Sequence, residues 1–195
     1  MLNFCSLYSG STGNCLFVQG PETNIIIDNG VSVRKVEQAL ETINIKPESI
    51  SAILVTHEHS DHTKGLGFLS KKYNIPVYAN SKTWNAIAEE QVQKISIDNK
   101  MVFNTDENFD IGEIKIKPFE IPHDAIDPCG FSFTQDGSKI SIATDLGHIT
   151  PEIFENLKGS SFILLESNYE PEILKFSKYP YILKKRIDGP NRSFI

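Results

Sequence analysis

The stretch THEHSDH, residues 56–62, places three histidines, a glutamate and an aspartate in seven positions. Imidazole and carboxylate together suit zinc, manganese or iron, and the set does not choose among them. His57 and His59 are two apart, so on an extended segment they face the same side. Asp61 and His62 lie where the chain bends toward a following helix, and they address a neighbouring point. Such an arrangement suits two metal ions, which sit roughly 3.5–4 Å apart in two-metal hydrolases. Glu58 and Ser60 are read as serving the loop rather than a metal. Five histidines in 195 residues is ordinary, and it is the clustering of three that is not.

The elements around the cluster follow from patterning. LNFCSLY and CLFVQG read as strands flanking SGSTGN, whose Gly and Asn residues suit a sharp hairpin turn. The same turn has backbone N–H groups that could face a phosphate, but the turn is the simpler reading. NIIIDNG is a short apolar strand ending in Asp28, Asn29 and Gly30. Val33, Val36, Leu40 and Ile43 recur at helical spacing. ISAILVT is a buried strand that leads directly into the histidines, and Leu66, Leu69 and Tyr73 mark a short helix after them. IPVYAN reads as a strand, SKTWNAIAEEQ as one helix, and FDIGEIKIKPFEI as one half-buried strand of period two. QDGS within GFSFTQDGSKISIATD signals a hairpin. TPEIFENLKG carries Thr150 as N-cap and Pro151 at the first helical position. SSFILLESN reads as a last buried strand and PEILKF as a short helix. The class is mixed α/β with helices outside sheets, in a single domain over residues 1–195.

Bulk properties exclude several functions. A hydrophobic fraction of 39% and a charged fraction of 23% are those of a globular chain with a buried core. The net charge of −6 argues against tight nonspecific nucleic-acid binding. It does not argue against hydrolysing a phosphodiester, because bound divalent ions invert the local charge. Three cysteines, Cys5, Cys15 and Cys129, with no CxxC pair, predict free thiols in a reducing compartment. The start of the chain has no basic segment followed by an apolar one, and no run reaches 18 apolar residues. The expectation is a cytoplasmic protein with no membrane partner.

His57-x-His59-x-Asp61-His62 after an apolar strand resembles the metallo-β-lactamase superfamily. IIIDNG, IPHDA and IATDLG agree in order with further motifs of that family. FCSLYSGSTGNC, VTHEHSDHTKGLG, HDAIDPCGFSF and ATDLGHIT together resemble its YycJ/WalJ group, relatives of the ribonuclease Z-like phosphodiesterases. The resemblance implies an αβ/βα four-layer sandwich of two mixed sheets with outer helices, the C-terminal part incomplete. It implies two divalent metals (zinc, manganese or iron): His57, His59 and His123 hold one, Asp61 and His62 contribute to a second, and Asp145 bridges. Asp28 is expected as a hydrogen-bond partner of the loop, and His148 as a polar loop residue. Asp61 is the candidate catalytic carboxylate, able to orient a metal-activated hydroxide while also ligating.

In that group a further histidine ligand lies in a GHLSN-like segment. Here the corresponding region reads KKRIDGPNRSFI and contains no histidine. The expectation is therefore a truncated chain with a weakened second metal site and an apolar surface that favours a homodimer. The expected activity is a metal-dependent phosphodiesterase or exonuclease, with DNA or RNA as substrate. The alternatives are hydrolysis of a small thioester, lactone or lactam, and a non-catalytic metal-binding regulatory module.

Overall fold

A computed structural model describes residues 1–165. PEILKF and the Lys184–Ile195 stretch singled out above lie outside the described residues. Within them the chain forms two mixed sheets. The first contains β1 (Asn3–Tyr8), β2 (Cys15–Gln19), β3 (Asn24–Ile27), β4 (Ile50–Leu54), β5 (Val77–Asn80) and β6 (Lys100–Phe103), in that order. The β1–β2 and β2–β3 pairs are antiparallel and the rest are parallel. The second contains β7 (Phe109–Ile111), β8 (Ile114–Glu120), β9 (Cys129–Gln135), β10 (Ser138–Ala143) and β11 (Phe162–Leu165). All its pairs are antiparallel except β10–β11.

Alternation along the strands assigns side chains to layers, because successive strand residues point to opposite faces. Leu16, Val18, Ile25, Ile27, Ala52 and Leu54 meet Ile114, Ile116, Phe131, Phe133, Ile140 and Ile142 between the sheets. The intervening Phe17, Ile26, Ile53 and Val55 face a second core with Val36 and Leu40 of α1 (Val33–Thr42) and Leu66 and Leu69 of α3 (Leu66–Tyr73). A smaller core joins Phe119, Ile121 and Ala143 to Ile153 and Leu157 of α6 (Pro151–Leu157). The result is the expected layering of two sheets between outer helices.

Four local expectations change. The segment 81–91 forms two helices, α4 (Ser81–Ala86) and α5 (Glu89–Val92), because Ile87 and Ala88 turn extended between them. Tertiary anchoring explains the break: Ile87 is buried, and Oε1 of buried Gln91 accepts the Gly67 N–H at 3.0 Å. FDIGEIKIKPFEI is not one strand but the β7–β8 hairpin, turned at Gly112 with φ 55°. Its alternation continues across the turn, so period alone did not reveal the reversal. β6 had no counterpart in the patterning, since exposed Met101 and Val102 blur any apolar face. β11, expected to be buried, leaves Phe162, Ile163 and Leu165 exposed. It pairs with β10 at the end of its sheet among the described residues, and Phe162 stacks on Phe4 with centroids 4.8 Å apart.

Candidate metal centre

The C-terminal ends of four strands meet at one end of the sandwich, where open α/β sheets commonly place their ligands. Asp28 follows β3, His57 follows β4, His123 follows β8 and Asp145 follows β10. After β4 the chain runs extended through His59, then turns into α2 (Ser60–Thr63), which carries Asp61 and His62. Residues one to three positions past these strand ends therefore come from both sheets and converge.

Three imidazoles form the first group. His59 Nδ1 lies 3.1 Å from His57 Nε2 and 3.3 Å from His123 Nε2. These separations match the edge of a tetrahedron with metal–nitrogen bonds of 2.0–2.1 Å, about 3.3 Å. His57, His62 and Asp145 form the second group, and both groups have ligand atoms within 4.8 Å of one another. The groups share His57, so they are adjacent halves of one cluster. Asp145 Oδ2 is 3.1 Å and Asp61 Oδ2 is 3.4 Å from His62 Nε2. Thus every residue singled out in the sequence, His57, His59, Asp61, His62, His123 and Asp145, reaches this one place. His148 is exposed, and Ser60 begins α2.

Tautomers follow from the outer contacts. Asp28, at φ 60°, sits beneath the loop and accepts the Thr56 N–H on Oδ1 at 2.8 Å. Its Oδ2 accepts the Thr56 hydroxyl at 2.8 Å and faces His62 Nδ1 at 2.8 Å. The Thr56 oxygen, having donated its proton, accepts from His57 Nδ1 at 2.9 Å. Both imidazoles thus turn Nε2, with its lone pair, toward the cluster, the usual arrangement for a metal-ligating histidine. Burial, then the neighbouring imidazoles His62, His123 and His59, hold His57 well below the usual histidine range, so it is a neutral donor.

His62 shows the demand for positive charge. Burial alone would depress it, but the Asp28 carboxylate and hydrogen bonds donated to Asp145, Asp28 and Asp61 raise it well above the usual range. Three carboxylates around one buried imidazole call for a proton or a cation. For Asp61 burial pushes the other way, yet the His62 hydrogen bond and charge keep its carboxyl below the usual range. The donor types, the nitrogen spacing and the oriented tautomers fit a divalent cation. Burial pushes the Cys15 and Cys129 thiols up, so neither is a thiolate ligand or nucleophile.

One feature went unread in the sequence, and another was read only in outline. Asn14, assigned only to a turn, reaches Asp61 and His62 from the β1–β2 loop. Glu58 Oε1 accepts the Ile126 N–H at 3.0 Å and so ties the loop after His123 to the histidine cluster. An Asn closing a Gly-rich turn gives no local sign of what it contacts 47 residues away.

A family model for the beta-lactamase superfamily domain matches residues 23–176. The exodeoxyribonuclease YycJ of Bacillus anthracis is 39% identical over 186 residues, 95% of this chain and 70% of that protein. The exodeoxyribonuclease WalJ of Streptococcus pneumoniae is 36% identical over 182 residues, 93% of this chain and 68% of its own length. Among solved structures, Zn²⁺-bound PqqB from Methylobacterium extorquens superposes with a TM-score of 0.71 at 14% identity, covering 84% of this chain and 64% of that one. The metallo-β-lactamase fold protein YhfI from Bacillus subtilis gives 0.66 at 15%, covering 86% and 71%. The structural matches carry the fold and the sequence matches carry the kinship: this chain belongs to the beta-lactamase superfamily of metal-dependent hydrolases, in its YycJ/WalJ group.

Proposed function

We propose that this protein hydrolyses phosphodiester bonds of DNA with two divalent cations. The observation that supports it most directly is the pair of donor groups sharing His57, in a chain 36–39% identical to proteins named exodeoxyribonucleases. His57, His59 and His123 would hold one cation, His62 and Asp61 would contribute to the second, and Asp145 would serve both. Cations bound there lower the pKa of water toward neutrality and offset charge on a phosphoryl oxygen.

The chain's own residues supply the rest. Histidine ligands are neutral, so the three imidazoles subtract nothing from the positive charge of the first site, and only the Asp145 carboxylate offsets part of it. Asp28 and Thr56 lock the imidazole orientations before any ligand arrives, so no reorganisation is required at the moment of reaction. Asp61, ionised at neutral pH, is placed to orient an attacking water and to accept its proton.

Elemental analysis of the purified protein alongside hydrolysis assays tests this reading. We expect two equivalents of metal per chain. Bis(p-nitrophenyl) phosphate and single-stranded DNA should be hydrolysed under Mn²⁺ or Zn²⁺, and His57→Ala should abolish both activities. Turnover of thioester or lactam substrates without phosphodiester cleavage would overturn it. One tightly held metal with no hydrolysis of any of these would point to a regulatory module instead.

A further inference from the structure

The loop Ser9–Asn14 is bound into the site rather than lying beside it. Asn14 N donates to the Asp61 carbonyl at 2.7 Å, and the Asn14 carbonyl accepts the Gly30 N–H at 2.8 Å. Gly30 itself admits no side chain, since a Cβ there would lie 1.5 Å from the Asp61 carbonyl oxygen. The chain thus clamps Asp61 between two turns. Lys64 reaches the Thr12 carbonyl from the other side.

The orientation of the Asn14 amide is determined by its neighbours. Oδ1 lies 3.0 Å from Gly10 N, a donor, so the acceptor end of the amide must face it. The NH2 end then faces the metal centre, 3.2 Å from Asp61 Oδ2 and 3.0 Å from His62 Nε2. A half-buried carboxamide is thereby aimed at the point where Asp61, His62 and Asp145 converge.

We propose that Asn14 is a positioning residue of this centre: its NH2 group holds Asp61 Oδ2, keeping that carboxylate beside the cation that His62 and Asp145 bind. Binding to Asn14 fixes one carboxylate oxygen and leaves the other to the cation or its water. A neutral donor achieves this without adding charge, whereas a carboxylate in the same place would add a ligand and repel Asp61. The inference rests on the two-cation reading above, but its test reads cation affinity and does not depend on turnover.

The test compares Asn14→Asp and Asn14→Ala with the parent by calorimetric titration of the metal-free protein with Mn²⁺, with melting temperature as a control. Asn14→Asp keeps the acceptor for Gly10 N and so keeps the loop. We expect it to tighten the weaker Mn²⁺ site at least tenfold, or to create a second equivalent if the parent binds one. Its kcat/KM on bis(p-nitrophenyl) phosphate should fall. Asn14→Ala should weaken the same site by about tenfold, within the 10–100-fold usual for partners of metal ligands. The opposite signs distinguish positioning from loop structure. Asn14→Asp alone decides the matter if the alanine variant misfolds. Mn²⁺ binding unchanged in Asn14→Asp, or within twofold of the parent in a folded Asn14→Ala, overturns the proposal. A parent that binds two Mn²⁺ but cleaves no phosphodiester overturns the function and leaves this inference standing.

Discussion

At the scale of single residues, the centre depends on side chains that touch no ligand. Asp28 is the clearest case, as one carboxylate it accepts from the Thr56 backbone and hydroxyl and orients His62. The Thr56 hydroxyl extends that control to His57. Thr56→Val keeps the shape and the backbone bond to Asp28 but removes the hydroxyl. His57 Nδ1 then loses its acceptor and the ring is free to choose the other tautomer. We expect metal affinity at the three-histidine site or kcat/KM to drop 10–100-fold, read by chelator competition and steady-state hydrolysis. Values within twofold of the parent would show that Thr56 does not set the tautomer. Much of this was legible: the HxHxDH spacing announced a cluster of metal-binding side chains, and Asp28 was expected as its hydrogen-bond partner. Asn14 was not legible, because nothing local in SGSTGN distinguishes a turn that closes a hairpin from one that also grips Asp61.

At the scale of elements, the apolar runs of β3 and β4 were read correctly, while alternation hid the β7–β8 turn and tertiary contacts broke a segment read as one helix. The hairpin at Asp136 and Gly137, with φ 47° and 77°, forms where its sequence demands it. Helix 81–91 breaks because Ile87 and Gln91 are drawn into different contacts, which no helical pattern records. The β7–β8 turn has a role of its own. Glu113, just after Gly112, accepts the Thr23 hydroxyl at 2.5 Å and the backbone N–H groups of Glu22 and Thr23, and so joins the second sheet to the first. Those bonds, led by the Thr23 hydroxyl, hold its carboxyl at about 2. A depressed folded-state value means the stabilisation is complete above the unfolded value, 4.5, and is lost as pH falls through about 2. Glu113→Gln should therefore melt lower than the parent at pH 7, with the gap closing between pH 4.5 and 2. A gap independent of pH in thermal scans would remove the carboxylate from the account.

At the scale of the whole molecule, the two sheets are joined at opposite ends. Thr23 and Glu113 stand at the starts of β3 and β8, while Asp28 and His123 stand past their ends. The seven residues of β8 separate the two connections by about 23 Å. His57, His59 and His62 come from the first sheet, and His123 and Asp145 from the second. A cation in the centre is then a crosslink between sheets that already share one core. Because the unfolded chain has no such site, a cation at 100 times its dissociation constant adds about 2.7 kcal/mol. For a domain of this size that amounts to a rise in melting temperature of roughly 5–10 °C. His123→Ala removes one of the three imidazoles and the second sheet's share of that group, so most of the increment from the three-histidine site should disappear. Effects at well-separated sites add. Glu113→Gln should therefore lower the metal-free melting temperature while leaving the Mn²⁺ or Zn²⁺ increment intact. Scanning fluorimetry of the parent, each single variant and the double variant, with chelator and with excess metal, measures all the terms. An increment that shrinks in Glu113→Gln would mean that the two ends communicate through the sheets. An increment unchanged in His123→Ala would mean that His123 holds no cation.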